Sequence, residues 1–371
     1  MNFNPFGKID KILFIAVVIL ISIGLIIIFS TSYSSTGTDF MNFRKQFVFS
    51  VFGIFLMMGA SFFDYRALKN YTGIFYISAC FILFAVLFFG SSIRGTTSWF
   101  SLGSFNFQPA EFVKIVVIII MAKYLAKENN FFNNFKKIII SGIYIFLPVS
   151  LILFQPDFGS ALVLIFIWFS MLFVAGVNKK YMMSVLFVGL LLFTASWSYT
   201  LEDYQKDRIT TFINPQSDPY GAGYNVIQSV IATGSGRIWG KGLGYGSQSQ
   251  LNFLPEKHTD FIFAVVAEEM GFIGVLFVFG LFGIIFYRLF KIVRESQNNF
   301  GKLLVLGIIL TLVFHIVINT GMNMGIMPVT GIPLPFISYG GSSLISFLIM
   351  IGLSQSVYIK GIGYKIEKED S

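Results

Sequence analysis

The chain has 371 residues, 55% of them hydrophobic and 12% charged, with 46 Phe and a mean hydropathy of +0.77. Soluble domains carry roughly 25% charged residues, so this composition excludes a soluble globular protein. The single cysteine, Cys80, excludes a disulfide framework and a thiolate metal cluster, and the formal charge of +8 acquires meaning only once the charges are placed along the chain.

Ten apolar runs are long enough to cross a bilayer as helices: 12–29, 46–63, 72–90, 109–125, 138–154, 159–177, 181–197, 261–287, 303–324 and 342–359. The first is too long for a signal h-region and lacks a small-residue cleavage site, so it reads as a permanent span. Lys and Arg mark the cytoplasmic side. With the N-terminus inside, 17 of the 26 fall on inner segments, 8 fall on outer ones and Lys114 lies in a span. The basic balance is therefore a topology signal and needs no nucleic acid to explain it. The expectation is an all-α polytopic membrane protein of about ten transmembrane helices, one domain over 1–371, with both termini cytoplasmic. The outer loops are 30–45, 91–108, 198–260 and 325–341. The third, between the seventh and eighth spans, is the longest, and loops of that size are usually functional or disordered. Its aromatic residues, among them Tyr220, Trp239, Tyr245 and Phe253, are expected to fold it back on the membrane face.

Ionisable residues within spans are costly and default to functional hypotheses. Glu111 and Lys114 in QPAEFVKI share a helix face and can pair, either as a lock between helices or as part of a site. Asp157 in QPDFGS, two residues after Gln155, suits the N-cap of the following helix. Glu268 and Glu269 lie two turns into the eighth span; adjacent residues point in different directions, so one is expected to face the interior and hold loop backbone. His315 stands alone in the ninth span, and with two histidines in the chain a zinc site is not expected.

The loop stretch GSGRIWGKGLGYGSQS (234–249) fails as a nucleotide-binding loop. Gly236 to Gly240 is one residue short of the required spacing, and Gly242 stands where Ser or Thr is needed. Its backbone amides, with Arg237 and Lys241, still suit an anion. The next stretch, LPEKHTDFIF (254–263), gathers Glu256, Lys257, His258 and Asp260 at the mouth of the eighth span. Locally, Thr259 or Asp260 reads as an N-cap with a carboxylate near the positive end of the helix. The other reading is a catalytic site at the membrane surface.

Three stretches together closely resemble the SEDS peptidoglycan polymerases, the RodA/FtsW family. They are RGTTSWFSLGSFNFQPAEFVKI (94–115), the run from DPYGAGYNVIQSV through LNFLPEKHTDFIFAVVAEEMGFIG (218–274), and NMGIMPVTGIPLPFISYGGSS (323–343). The resemblance extends over essentially the whole chain, and the wording SQSQLNFLPEKHTDF is closer to the elongation-type than to the division-type member. It implies a processive glycosyltransferase that polymerises lipid II on the outer face of the bacterial cytoplasmic membrane and releases undecaprenyl pyrophosphate. It also implies a class B penicillin-binding protein as partner. Carried onto this chain, the family's essential carboxylate falls on Asp260, and Trp99, Glu111 and Lys114 fall on other functionally important positions. Gln155, Asp157, Gln228, Ser229, Glu256, His258, Glu268 and Glu269 are supporting candidates. Two departures are Asn252, where relatives often carry an acid, and Arg237, where glycine is common.

The chemistry asks for few parts. An acceptor 4-hydroxyl is a poor nucleophile, and a positioned carboxylate that takes its proton contributes about 10²–10⁴-fold. Pyrophosphate leaves readily, so the second carboxylate of a glycosidase is dispensable. Asp260 suits the base. Arg94, Arg208, Arg237, Lys241 and Lys257 are the outer cations for the pyrophosphate, with Lys114 reachable if its span borders a cavity. A divalent cation, Mg or Mn, can share that task with Asp260 or Glu256 as ligand. Trp99 offers an apolar face to a sugar or prenyl chain, or anchors at the interface. The rivals are a lipid II flippase, which would need polar residues through the depth of several spans, and a non-catalytic scaffold.

Overall fold

The computed structural model describes residues 9–34, 37–38, 40–93, 95–103, 105–126, 135–199, 203–218 and 221–369. Arg94, Tyr220 and the inner-side markers Lys8 and Lys127 lie outside the described residues.

Each of the ten apolar runs is a helix. The first seven are α1 (Lys11–Ser32), α2 (Met41–Phe62), α3 (Tyr65–Phe89), α4 (Pro109–Ala126), α5 (Phe135–Leu153), α6 (Phe158–Val174) and α7 (Lys179–Tyr199). After the long loop, and after the short helices α8 (Asp203–Ile213), α9 (Ala222–Ser235) and α10 (Ser247–Gln250) within it, come α11 (Ile262–Glu295), α12 (Asn299–Asn323) and α13 (Gly341–Glu369). Among the described residues, seven helices (α1, α2, α3, α5, α11, α12 and α13) are long and apolar enough to cross a membrane. α6 is a shorter apolar helix of 17 residues, and α4 carries Glu111, Lys114 and Lys123. Phe55, Phe88 and Phe146 project from the bundle exposed, which suits lipid and not water. The chain is a multi-pass membrane protein.

The all-α expectation needs correction in the connections, although the chain is mostly helical. β3 (Ser91–Ile93), β4 (Thr96–Leu102) and β5 (Phe105–Phe107) form an antiparallel sheet in that order, and β1 (Tyr33–Ser34) pairs with β2 (Gly37–Thr38). The run TTSWFSL is rich in β-branched and aromatic residues, which fit a pleated, half-buried surface. The 198–260 loop takes its order from α8, a 3₁₀ turn at Pro215–Ser217, α9 and α10, while Trp239 and Tyr245 stay exposed.

The core lies where α4 packs against α3, α6 and α12, where α13 runs along α2, and where α11 meets α1, α9 and α12. At the start of α1, the buried Asp10 carboxylate accepts a hydrogen bond from Arg288 Nε at 2.7 Å. The Asp10 backbone exchanges two 3.0 Å bonds with the Gln355 side chain, tying α1, α11 and α13 together.

α11 is not continuous. Gly271 has φ 67° and ψ −168°, a conformation open to glycine alone. In an unbroken helix the amides of Phe272 and Ile273 would bond the carbonyls of Glu268 and Glu269. Here Phe272 N donates to Arg237 O (2.8 Å) and Ile273 N to Ile238 O (3.1 Å). The freed carbonyls of Glu268 and Glu269 accept from Lys241 N (2.9 Å) and Gly242 N (3.0 Å). The 198–260 loop is thus spliced into the helix by four backbone bonds.

Candidate active site

The turn His258–Asp260 is pinned carbonyl by carbonyl. His258 O accepts from Tyr339 N at 2.8 Å, and Thr259 O accepts from Ser338 Oγ at 2.8 Å. Asp260 O accepts from two fully buried amides, Asn319 Nδ2 at 3.1 Å and Asn323 Nδ2 at 2.9 Å. Asn319 also reaches Ile332 O (2.8 Å), so α12 and the 325–341 loop close on the same turn. The backbone is fixed while the Asp260 side chain stays half-buried. Its neighbour across the gap is Gly331, at φ 74°, where an added Cβ would lie 3.9 Å from Asp260 Oδ2. The local cap reading needs correction: the N-cap residue of α11 is Phe261, and the amide of Ala264 is taken by Asn323 Oδ1 at 3.1 Å.

The neighbours in the stretch have defined contacts. His258 Nδ1 lies 2.9 Å from Thr31 Oγ1, which also lies 2.9 Å from Ile27 O. Glu256, at φ 52°, accepts from Thr259 Oγ1 on Oε2 at 3.1 Å. Lys257 is buried, its ammonium donating to Ser249 O (2.6 Å) and Asn252 Oδ1 (2.8 Å). Burial pushes the pKa of Lys257 down, opposed by the charge of Glu269. Asn252 therefore serves Lys257 as a neutral acceptor.

Glu268 and Glu269 are both buried, which corrects the expectation that only one faces inward. Residues 262–269 are enclosed on all sides, so adjacent side chains find protein in opposite directions. Glu268 Oε1 pairs with Lys241 Nζ at 2.7 Å and accepts from Gln248 N at 3.0 Å, and its Oε2 accepts from Ser249 N at 3.2 Å. Glu269 turns to α1, where Ser30 Oγ donates to it at 2.7 Å.

A second buried cluster lies deeper. Lys114 Nζ pairs with Glu111 Oε1 at 2.8 Å and lies 3.1 Å from His315 Nε2. His315 Nδ1 lies 2.9 Å from Thr311 O, which fixes the tautomer with Nε2 as acceptor for the ammonium. Glu111 Oε2 accepts from Ser346 Oγ at 3.2 Å. Thr311, His315, Asn319 and Asn323 recur every four residues, so one buried polar stripe of α12 joins this cluster to the Asp260 turn. Sequence reasoning took His315 singly and missed both asparagines, although the spacing of four within an apolar helix was the available signal.

Asp157 caps α6 as expected: Oδ1 accepts from Ser160 N (3.0 Å), and Oδ2 accepts from Gln108 Nε2 (2.9 Å). Gln155 is fully buried, donating to Leu83 O at 2.9 Å. Ser229 Oγ donates to Asn323 O at 3.0 Å, linking α9 to the stripe, with Gln228 half-buried beside it. Trp99 sits half-buried on β4 opposite Ser91. Arg208 is half-buried on α8. Arg237 has φ 50°, a backbone position that favours glycine. Of the cations assigned to pyrophosphate, Lys114, Lys241 and Lys257 have their ammonium groups engaged by protein atoms. Among the described residues no three His, Cys, Asp or Glu side chains come together as a metal-holding group.

One family's sequence model, that of FtsW, RodA and SpoVE, described as "Cell cycle protein", matches residues 10–360. The chain is 34% identical over 361 residues to peptidoglycan glycosyltransferase MrdB of Escherichia coli, covering 96% of this chain and 97% of that protein. It is 33% identical over 431 residues to peptidoglycan glycosyltransferase RodA of Treponema pallidum, covering 96% and 99%. A solved peptidoglycan synthase complex, described by its coordination of polymerization and crosslinking, superposes with a TM-score of 0.80 at 31% identity, over 95% of this chain and 98% of that one. The rod shape determining protein RodA of Thermus thermophilus superposes with a TM-score of 0.70 at 28% identity, over 94% and 96%.

Proposed function

The chain belongs to the FtsW/RodA/SpoVE family, and from that premise we propose that it is a peptidoglycan glycosyltransferase polymerising lipid II with Asp260 as its base. The observation that carries the assignment is the Asp260 turn itself. Three consecutive carbonyls are bonded to a rigid frame, which fixes the backbone from which the carboxylate projects. Asn323 lies about 32 Å along α12 from Lys302 at roughly 1.5 Å per residue. That matches a hydrocarbon core of roughly 30 Å, so the turn sits at the boundary opposite the inner lysines, where lipid-linked sugars present their reacting atoms.

In the proposed reaction the acceptor 4-hydroxyl gives its proton to Asp260 as its oxygen bonds to the donor's anomeric carbon. The bond from that carbon to the pyrophosphate oxygen breaks, and undecaprenyl pyrophosphate leaves with the electron pair. Lys241, partly exposed beside Glu268, with Arg208 and Arg237, supplies positive charge to the leaving group. Mg or Mn bound with the pyrophosphate would find Asp260 or Glu256 as its ligand. Lys114, Glu111 and His315 form the rigid floor below.

The same reading includes ten spans with both termini cytoplasmic, a single domain, and the active face outside the cytoplasmic membrane. A class B penicillin-binding protein is the proposed crosslinking partner, supported by the likeness to a synthase complex. The similarity to MrdB and RodA supports a role in elongation and shape in preference to division. The test is paired: purified protein with its partner should convert lipid II to glycan strands, and Asp260→Ala should abolish this while expressing normally. Labelled lipid II crossing liposomes without polymer would favour the flippase instead.

A further inference from the structure

We propose that the loop 236–245 is embedded in the outer leaflet, with Ile238 and Trp239 against lipid acyl chains. The inference is independent of the catalytic reading and rests on depth, backbone satisfaction and exposure. Depth comes from α11. Arg288 is held at the inner end by the buried Asp10 carboxylate, and Phe272 lies about 24 Å farther along the helix at roughly 1.5 Å per residue. The hydrocarbon core is roughly 30 Å thick, so Phe272 ends short of the outer boundary, and any tilt leaves it deeper. The bonds from Phe272 N and Ile273 N to Arg237 O and Ile238 O fix the loop at that depth.

Non-helical backbone survives at such a depth only when its polar groups are satisfied by protein. The splice supplies part of this: Lys241 N and Gly242 N take the two carbonyls that the helix break frees, Arg237 O and Ile238 O take the two amides, and Gly240 N bonds Gly236 O. Three glycines permit the approach. A Cβ on Gly236 or Gly240 would collide with the backbone of Ala267 or Glu269, and one on Gly271 would lie 2.6 Å from Ile238 O.

Exposure then selects the occupant. Ile238 is 59% and Trp239 81% exposed, beside Phe272 at 63% and Leu276 at 60% on the lipid-facing side of α11. Charge is kept off this face, since the Lys241 ammonium turns to Glu268 and Ser247. Arg237 is exposed and long enough to carry its guanidinium to the headgroups, and exposed Tyr245 suits the same level. The short helix α10 that follows the loop carries Glu268's partners Gln248 and Ser249, and the carbonyl of Ser249 holds Lys257. Lipid contact at Trp239 is thereby joined to the wall of the Asp260 site.

The test uses the whole protein in nanodiscs of phosphatidylethanolamine and phosphatidylglycerol, with acyl chains brominated or plain. The Trp239 emission is the difference between the unaltered protein and Trp239→Phe. Brominated chains should remove that emission, and acrylamide should leave it. A second reporter, Ile238→Trp in the Trp239→Phe chain, should behave the same way. Quenching by acrylamide but not by bromine would overturn the proposal in favour of a water-facing loop. Emission resistant to both would overturn it in favour of a protein cover, either a second copy or another chain.

Discussion

Gly271→Ala is the most demanding perturbation of this architecture. The residue sits at φ 67° and ψ −168°, and forcing a side chain into such a region costs about 1–3 kcal/mol. The new Cβ would also collide with Gly240 N and lie 2.6 Å from both Ile238 O and Trp239 C. These are backbone atoms and cannot swing aside, so overpacking adds about 1–3 kcal/mol. The sum is about 2–6 kcal/mol, and relief by moving the loop would forfeit some of the four splice bonds. At roughly 2–4 °C per kcal/mol, the thermal midpoint in detergent should fall by about 4–24 °C. Gly280→Ala is the control: the same helix, with nothing within 4 Å of the added Cβ, should melt at or slightly above the parent protein. If Gly271→Ala melts together with Gly280→Ala, the helix is continuous and the splice is wrong.

Asn323→Leu removes an amide donor to Asp260 O and the acceptor for Ala264 N, so turnover should fall about 10²-fold through displacement of the base, with KM for lipid II little changed; an unchanged turnover would contradict the positioning role. Arg237→Gly removes a side chain from a positive-φ position and should raise the thermal midpoint, corresponding to about 1 kcal/mol. A lowered midpoint would show that the arginine's contacts outweigh the strain. Lys257 gives a pH signature. Burial lowers its pKa, so between that value and the ordinary lysine value of about 10.4 the unfolded chain binds more protons than the folded one. Stability therefore rises with pH across that window, and Lys257→Met should flatten the rise. Parallel pH profiles for the two proteins would refute the assignment.

The apolar helices were legible because a bilayer demands long apolar runs, and hydropathy averages well over that length. Their ends were less so: α2 begins at Met41 and α3 at Tyr65, both N-terminal to the apolar runs, because helices continue into the interface through Arg44, Lys45, Arg66 and Lys69. Asp260 was singled out by its position and the family motif, and the Asp157 cap was legible through its spacing. The backbone clamp was not legible, since it depends on Asn319 and Asn323 returning from 59 and 63 residues away. Nor was the break at Gly271, where EEMGFIG reads as ordinary helix and the deciding contact comes from Ile238 and Gly240 in another segment. The inward turn of both Glu268 and Glu269 follows from that same splice, which surrounds a helix that would otherwise have one outer face.

Polymerisation of lipid II by Asp260→Asn bears most directly on the central claim. The substitution keeps the shape and the backbone carbonyl held by Asn319 and Asn323 while removing the base. The expected result is folded protein, assembled with its partner, whose glycan synthesis is lower by about 10²–10⁴-fold. Glycan strands formed at the parent rate would contradict Asp260 as the proton acceptor.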